Sequence, residues 1–507
     1  MGGSLAQVLR HGASHHPQRP AIIALDERGS SRKSYSYGEV DFAARAVAGG
    51  LQQAGVGPGD HVALCAENSM EYVAAYFGVL YVGAAVVPIP ILSAAPEVRF
   101  RAEHARCKAI ICDHKRQTLV EQACGDLNHT RRLVLAELVE CEHSTDRPAN
   151  RNAQDTAMVL YTSGTTGSAK GAAISHGALL THTAVLAYHA LRLDESDRIL
   201  GVLPLTHSFG CRMAMLSSLY AGASSVLMPR FDAAACMEVM LREQVTWLPA
   251  VPTMFAALGQ LPEVTPKPTL RWAMCAGAPV PEETTRRAEA RLGCEIRQGY
   301  GMTEATIATL NAPPDARVIA SVGKPVWGIE LLILDERRQE LPQGQAGEVW
   351  IRGHNTMSGY LDDRAATSAI EQDGFLRSGD VGYLDAEGRL YIIDRIKDLI
   401  LRGGNNVYPS EVESALAEHP AIAQVAVVGR PDDYYGEEVV AVIHLKASFS
   451  LTADEVSQWS RERVSKTKVP REVAFVDQFP LGPSGKILKR QLRQDIVAGR
   501  LKTTRCS

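Results

Sequence analysis

Residues 155–171 read DTAMVLYTSGTTGSAKG, and this stretch decides how the rest of the chain is understood. Residues 155–161 form an apolar run that predicts a buried strand, and the strand feeds directly into a loop of small residues, the junction where α/β folds seat their ligands. Thr162, Ser163, Thr165 and Thr166 supply hydroxyls, Gly164 and Gly167 leave backbone N–H groups accessible, and Lys170 adds a cation. Those groups suit a polyphosphate. The spacing differs from GxxxxGK[ST], because Gly164, Gly167 and Lys170 stand three apart, so the P-loop reading fails on geometry. A plain Gly/Ser linker would share the composition, but linkers rarely follow a buried strand or end in Lys-Gly.

Outward from this loop, helix-like and strand-like patterns alternate. Residues 40–54 read as a small-residue amphipathic helix, and residues 61–65 and 109–112 as short strands, an alternation that builds a doubly wound sheet. Residues 72–96 carry no charge but are interrupted by Gly78, Gly83, Pro88 and Pro90, which predicts a buried helix and a buried strand in place of a membrane span. After about residue 310 the chain turns β-rich, with strands predicted at 329–334 and 348–352 on either side of the turn-like PQGQAG. From Gly388, GRLYIIDRIKDLILRGGNNVYPSEVESAL predicts a strand, a charged junction, a second strand, a glycine turn and a helix, with Ser410 and Glu413 spaced as a capping box. The expected fold class is α/β. A large N-terminal domain of doubly wound sheets plus a β-rich subdomain takes residues 1–394, and a small α+β domain takes residues 395–507.

Composition narrows the function. The 507 residues are 46% hydrophobic and 22% charged, enough for a large core and unlike a disordered or fibrous chain. Lys and Arg number 53 against 57 Asp and Glu, a net charge of -4 with no basic block, so nucleic acid is not an expected partner. The ten cysteines contain no CxxC pair, which suits reduced thiols and a cytoplasmic location. The N-terminal MGGSLAQVLRHGASHHPQRP has no apolar signal core, and Ala6 stands where a myristoylation motif requires Ser or Thr.

Further segments join the loop in order: Gly299-Tyr300-Gly301-Met302-Thr303-Glu304, Ser378-Gly379-Asp380, Asp394-Arg395-Ile396-Lys397-Asp398 and Gly482-Pro483-Ser484-Gly485-Lys486. Together with YTSGTTGSAKG, these five ordered motifs resemble those of the adenylate-forming superfamily, which includes acyl- and aryl-CoA synthetases, peptide-synthetase adenylation domains and beetle luciferases. One departure is Ala169, where the family loop usually has Pro. It should loosen the turn without removing a phosphate ligand.

The resemblance implies a two-step ligase. A carboxylate attacks the α-phosphate of ATP, pyrophosphate leaves, and a thiol then opens the acyl-AMP. Negative charge gathers between carboxylate and phosphate in the first step, and Lys486 resembles the cation that stabilises it. Glu304, following Thr303, resembles the carboxylate that holds magnesium on the phosphates. The nucleotide seat implied is the loop from Thr162 to Lys170, with Ala276, Gly277 and Ala278 against adenine, Gly299, Tyr300, Gly301, Met302 and Thr303 beside it, Asp380 on the ribose and Arg395 on ribose and phosphate. Lys397 resembles a pivot about which a mobile C-terminal domain rotates, withdrawing Lys486 and presenting Gly403 and Gly404 to the pantetheine arm of coenzyme A.

By the same resemblance the acyl pocket lies among His207, Ser208, Phe209, Arg212, Val251, Gly277 and Met302. Its mostly small or apolar lining leads to the expectation of an uncharged fatty, branched or aromatic acid. No aspartate stands near Phe209 to hold a substrate amine, since Asp232 lies in a later surface segment, so amino acids are disfavoured. His207 is expected to gate the pocket or orient the carboxylate. Arg212 either meets a polar or anionic acyl end or pairs with a neighbour. The expected activity is that of an ATP-dependent acid:CoA ligase using magnesium. An acyl carrier protein is the alternative acceptor, although residues 321–380 show no insertion of the kind usual in fatty-acyl-AMP ligases. A non-catalytic nucleotide sensor on the same fold is countered by the joint presence of Lys170, Glu304, Asp380 and Lys486.

Overall fold

The computed structural model describes residues 3–145, 148–162, 169–482 and 487–506. Of the expected site, Ser163, Gly164, Thr165, Thr166, Gly167 and Lys486 lie outside the described residues. Packing divides the chain into two compact units. The first comprises Met1–Gly277, Arg287–Leu331 and Ile351–Leu376, and the second Ala278–Arg286, Leu332–Trp350 and Arg377–Ser507. The expected boundary at residues 394 and 395 falls within the second unit.

The first unit holds two sheets. One has seven strands in the order Gly359–Tyr360, Lys170–Ser175, Thr156–Thr162, Ala85–Pro88, His61–Cys65, Ala109–Cys112 and Arg131–Val134. Its last five strands are parallel, and its first two are added antiparallel. The second sheet has nine strands, and the six from Ile296–Tyr300 through Trp272–Ala276, Trp247–Ala250, Arg198–Gly201 and Ser224–Leu227 to Pro20–Leu25 are parallel. Strands at residues 61–65 and 109–112 form at the expected limits. The helix expected at 40–54 runs instead over Tyr37–Gln53, because Ser36 and Glu39 form a capping box that starts it a turn earlier. The uncharged stretch folds as the buried helix Met70–Tyr81 and the buried strand Ala85–Pro88. A Cβ at Gly78 would come within 2.6 Å of Val47 Cγ1, so glycine is what lets helices Met70–Tyr81 and Tyr37–Gln53 pack this closely. Among the described residues no helix is long and apolar enough to cross a membrane.

The β-rich section forms Ile329–Leu334 and Gly347–Gly353 within a five-stranded sheet, and Phe375–Leu384 pairs antiparallel with Leu390–Arg395. The second unit also contains a six-stranded sheet, ordered Asn405–Val407, Ile400–Arg402, Gly436–Leu445, Glu472–Phe475 and Thr504–Arg505, with Ile422–Asp432 also on Gly436–Leu445. Side chains alternate along that central strand. Val439, Ala441 and Ile443 enter one hydrophobic core and Val440 and Val442 another, the period-two pattern of a strand covered on both faces.

The capping box expected at Ser410 and Glu413 does not form. Helix Pro409–Ala417 opens with Pro409 in its first turn and has no side-chain cap. Ser410 instead donates its backbone N–H to Asp394 at 2.8 Å and its hydroxyl to the Ile393 carbonyl, while Glu413 accepts from the Val427 N–H at 2.6 Å. Proline is already suited to the first helical turn, and neighbouring strands recruit both side chains.

Candidate active site

In the first unit, Thr162 and Lys170 stand opposite one another in the antiparallel pair of Thr156–Thr162 with Lys170–Ser175. The Ser/Thr/Gly loop therefore joins two neighbouring antiparallel strands, unlike the strand-to-helix turn of a P-loop. The register also brings Tyr360 beside Ala172, next to the same strand. Lys170 Nζ lies 5.1 Å from the centre of the Tyr360 ring, and the Tyr360 hydroxyl donates to Glu304 Oε1 at 2.7 Å. Burial first, and then the Glu304 charge, push the Tyr360 phenol well above its ordinary pKa, so the proton stays on tyrosine and the hydroxyl remains a donor. Lys170 and Glu304 are thus joined through a residue that the sequence motifs did not mark.

Glu304 is fixed from both sides. Its carbonyl accepts from the Met357 N–H at 2.8 Å, and Gly301, at the start of this turn, is packed so closely that a Cβ would collide with the Ile307 backbone. Ala276 and Gly299 are register partners in adjacent parallel strands, so the two segments expected beside adenine do meet. Gly277 follows at φ +97°, a conformation suited to glycine, and Ala278 comes next in the chain as the first residue of the second unit. Tyr300 pairs with Thr309, the Met302 N–H donates to the Ala305 carbonyl, and Thr303 is half-buried. Among the described residues no group of three His, Cys, Asp or Glu side chains forms a metal cage. A magnesium ion carried on phosphates needs only one or two protein carboxylates, and Glu304 fits that requirement.

His207 caps the short helix Ser208–Gly210, where its Nδ1 accepts the Phe209 N–H at 3.2 Å, placing the proton of the neutral ring on Nε2. The hydroxyls of Ser208 and Thr306 are 3.0 Å apart, which ties this helix to the segment following Glu304. Phe209 is buried, and Val251 is buried where Trp247–Ala250 gives way to helix Pro252–Gly259. Asp232 caps helix Ala233–Arg242 through the Ala235 N–H at 2.8 Å and thus has a structural role.

Arg212 sits on the π-helical turn Cys211–Leu216, fully buried. Of the two roles left open for it, pairing with a neighbour finds no support among the described residues, where Nε, Nη1 and Nη2 all lack a hydrogen-bond partner. Burial lowers the guanidinium pKa to about 10, still charged at neutral pH. His182 is also buried, with its ring against the Thr306 carbonyl, and its ring centre is 5.3 Å from that of His354. Burial, then the Arg212 charge, hold His182 well below its ordinary pKa.

In the second unit, Asp380 and Arg395 are cross-strand partners, joined from Nε to Oδ1 at 3.1 Å. The Asp380 N–H donates to Ser378 Oγ, whose hydroxyl in turn donates to the Val349 carbonyl at 2.6 Å. Lys397 is exposed on the short turn Ile396–Asp398. Gly403 and Gly404 form a two-residue hairpin with φ +55° and +77°, the type I′ geometry that glycine allows. The preceding Arg402 turns inward and makes a buried two-point pair with Glu438 at 2.5 and 3.2 Å.

The first unit is thus a two-sheet α/β body in which a cation and a carboxylate are linked by a phenol, and the second carries an α+β sheet. The model of AMP-binding enzymes matches residues 9–361, and that of the AMP-binding enzyme C-terminal domain matches residues 411–486. Feruloyl-CoA synthase from Amycolatopsis sp is 34% identical, over 90% of this chain and 93% of its own. The ATP-bound structure of MatB from Rhodopseudomonas palustris is 30% identical with a TM-score of 0.91, covering 98% of this chain and 99% of MatB. The o-succinylbenzoate CoA synthetase MenE of Bacillus subtilis, in complex with its acyl-adenylate intermediate, is 30% identical with a TM-score of 0.86, over 96% and 97% of the two chains. The chain belongs to the AMP-binding enzymes, and within them to the AMP-forming acid–CoA ligases that act through an acyl-adenylate.

Proposed function

We propose that this enzyme joins ATP to an acid with a largely apolar body, fatty, branched or aromatic, and passes the acyl group from acyl-AMP to coenzyme A. The single observation that carries this reading is the Lys170–Tyr360–Glu304 chain, which holds a cation and a carboxylate at the base of the phosphate-binding loop. In the cycle proposed, Ser163, Gly164, Thr165, Thr166 and Gly167 receive the phosphates beside Thr162 and Lys170. Ala276, Gly277, Ala278, Gly299, Tyr300, Gly301 and Met302 flank adenine. Asp380 accepts the ribose hydroxyls, and Arg395, already beside it, reaches ribose and phosphate. Glu304 holds the magnesium that, when bound, neutralises charge on the polyphosphate.

His207 and Thr303 orient the acid's carboxylate, whose body lies against Ser208, Phe209, Val251 and Met302. Lys486 stabilises the charge that develops as the carboxylate displaces pyrophosphate. Rotation at Lys397 of the segment from residue 395 onward then replaces Lys486 with the Gly403-Gly404 turn, past which the pantetheine thiol reaches the anhydride. Feruloyl-CoA synthase and o-succinylbenzoate CoA synthetase, by their names, take aromatic acids, which supports an apolar-bodied substrate here. Incubation of the protein with ATP, magnesium and short, medium, branched and aromatic acids is expected to give acid-dependent pyrophosphate release. Adding coenzyme A, or in parallel an acyl carrier protein, identifies the acceptor by the mass of the thioester. Silence across the whole panel would favour the nucleotide sensor.

A further inference from the structure

The proposed acyl site adjoins a buried cluster that is rich in donors and poor in acceptors. Arg212 has no accessible surface and, among the described residues, no hydrogen-bond acceptor or ion-pair partner. His182 lies close enough to Arg212 and His354 to feel their charge and has the Thr306 carbonyl beside its ring, Nδ1 of His354 is unpaired among the described residues, and His354 Nε2 meets the Trp327 carbonyl at 2.9 Å. The acceptors found here among the described residues are neutral ones: the Trp327 and Thr306 carbonyls and the unpaired Oδ1 of Asn355. A buried cation without a counter-charge is among the costliest arrangements a core can contain. The cluster is also continuous with the acyl site: Asn355 donates to the Thr306 carbonyl at 3.1 Å, and the Thr306 hydroxyl meets that of Ser208, next to His207.

Helical position separates the two ends. Arg212 follows His207 by five residues, about 7 Å along a helix axis, so Arg212 is set back from the group that would orient the reacting carboxylate. The turn carrying it is π-helical, a widened form that recurs at functional sites. What the cluster lacks among the described residues is a buried anion with several acceptor oxygens.

We propose that the acid activated here carries a second anionic oxygen group, a carboxylate or sulfonate, at the end remote from the reacting carboxyl, and that Arg212, with His182, receives it. This rests on the acid-activating reading above and refines only the far end of an otherwise apolar substrate. The guanidinium supplies a two-point fork for such a group, and its charge is balanced only when substrate is present.

The test uses the full-length protein with ATP, magnesium, coenzyme A and acids matched in length: a monocarboxylic acid, the corresponding dicarboxylic acid, its monomethyl ester and the ω-sulfonate, in aliphatic and aromatic series. At the best length, kcat/KM for the dianionic acids is expected to exceed that for the monoacid and the ester by tenfold or more. Arg212→Met is expected to reverse that order, and Arg212→Lys to recover part of it. Because Met removes an unbalanced charge, Arg212→Met should melt no lower than the parent protein, and dicarboxylic acid should raise the melting temperature of the parent alone. Preference for the uncharged acids at every length, unchanged in Arg212→Met, would overturn the proposal and leave acid activation standing. A lower melting temperature in Arg212→Met with unchanged selectivity would overturn it too, by giving Arg212 a structural partner. Absence of pyrophosphate with every acid would overturn the activation reading itself.

Discussion

Tyr360 keeps its hydroxyl proton because it is half-buried and faces a carboxylate, and this makes it a fixed link between Glu304 and Lys170. Tyr360→Phe preserves the ring beside Lys170 and removes only the donor. A hydrogen bond to a charged group is worth about 1.5–3 kcal/mol, so pyrophosphate release is expected to slow by roughly tenfold to a hundredfold, with more magnesium needed for half-maximal rate. Identical rates across a magnesium titration would remove Tyr360 from the mechanism. His176 gives a pH prediction. It is buried, its Nδ1 accepts the Leu5 N–H at 3.2 Å, and burial lowers its pKa to about 4. The unfolded chain takes up this proton near pH 6.5, and the folded protein only near pH 4. Stability is therefore lost as pH falls through that window, by on the order of 3 kcal/mol at its lower end. His176→Gln is expected to flatten the fall in melting temperature between about pH 7 and pH 4.5. An unaltered slope would assign the effect to other groups.

At the level of elements, the Gly403-Gly404 hairpin is held by what precedes it. Arg402 and Glu438 are both buried, and their two-point pair ties Ile400–Arg402 to Gly436–Leu445. Removing one partner of such a pair leaves an uncompensated charge, so Glu438→Ala is expected to cost about 3–5 kcal/mol in urea unfolding of the full chain. A loss under about 1 kcal/mol would mean that water reaches Arg402. The glycine turn was legible because a two-residue I′ loop requires this composition, and the strands at 61–65 and 109–112 because short apolar runs between turn signals have few alternatives. Ser410 and Glu413 misled for the opposite reason. Their spacing satisfies the local capping rule, but their partners, Ile393, Asp394 and Val427, lie far enough away in sequence that no local pattern reports them. Tyr360 was hidden in the same way, since only its register against Ala172 places it beside Lys170. Arg212 was noticed as a charge inside an apolar run, but nothing in the sequence says that it finds no hydrogen-bond partner among the described residues.

The whole molecule divides into two compact units, and the proposed cycle divides into two half-reactions. Lys486→Ala removes the proposed transition-state cation and is expected to slow acyl-AMP formation by about a hundredfold or more, while thioester formation from supplied acyl-AMP proceeds at the parent rate. Equal losses in both half-reactions would assign Lys486 a different role. A consequence at this scale comes from the strand that carries Tyr360. Gly359–Tyr360 is two residues long and forms the outermost rung of the seven-stranded sheet, on the flank of Lys170–Ser175. The sheet edge and the Lys170–Tyr360–Glu304 link therefore share one seam. Proteolytic nicking or deletion between residues 355 and 361 would uncover the ladder of Lys170–Ser175 to strands from other molecules, so damage there should register as precipitation as well as lost turnover.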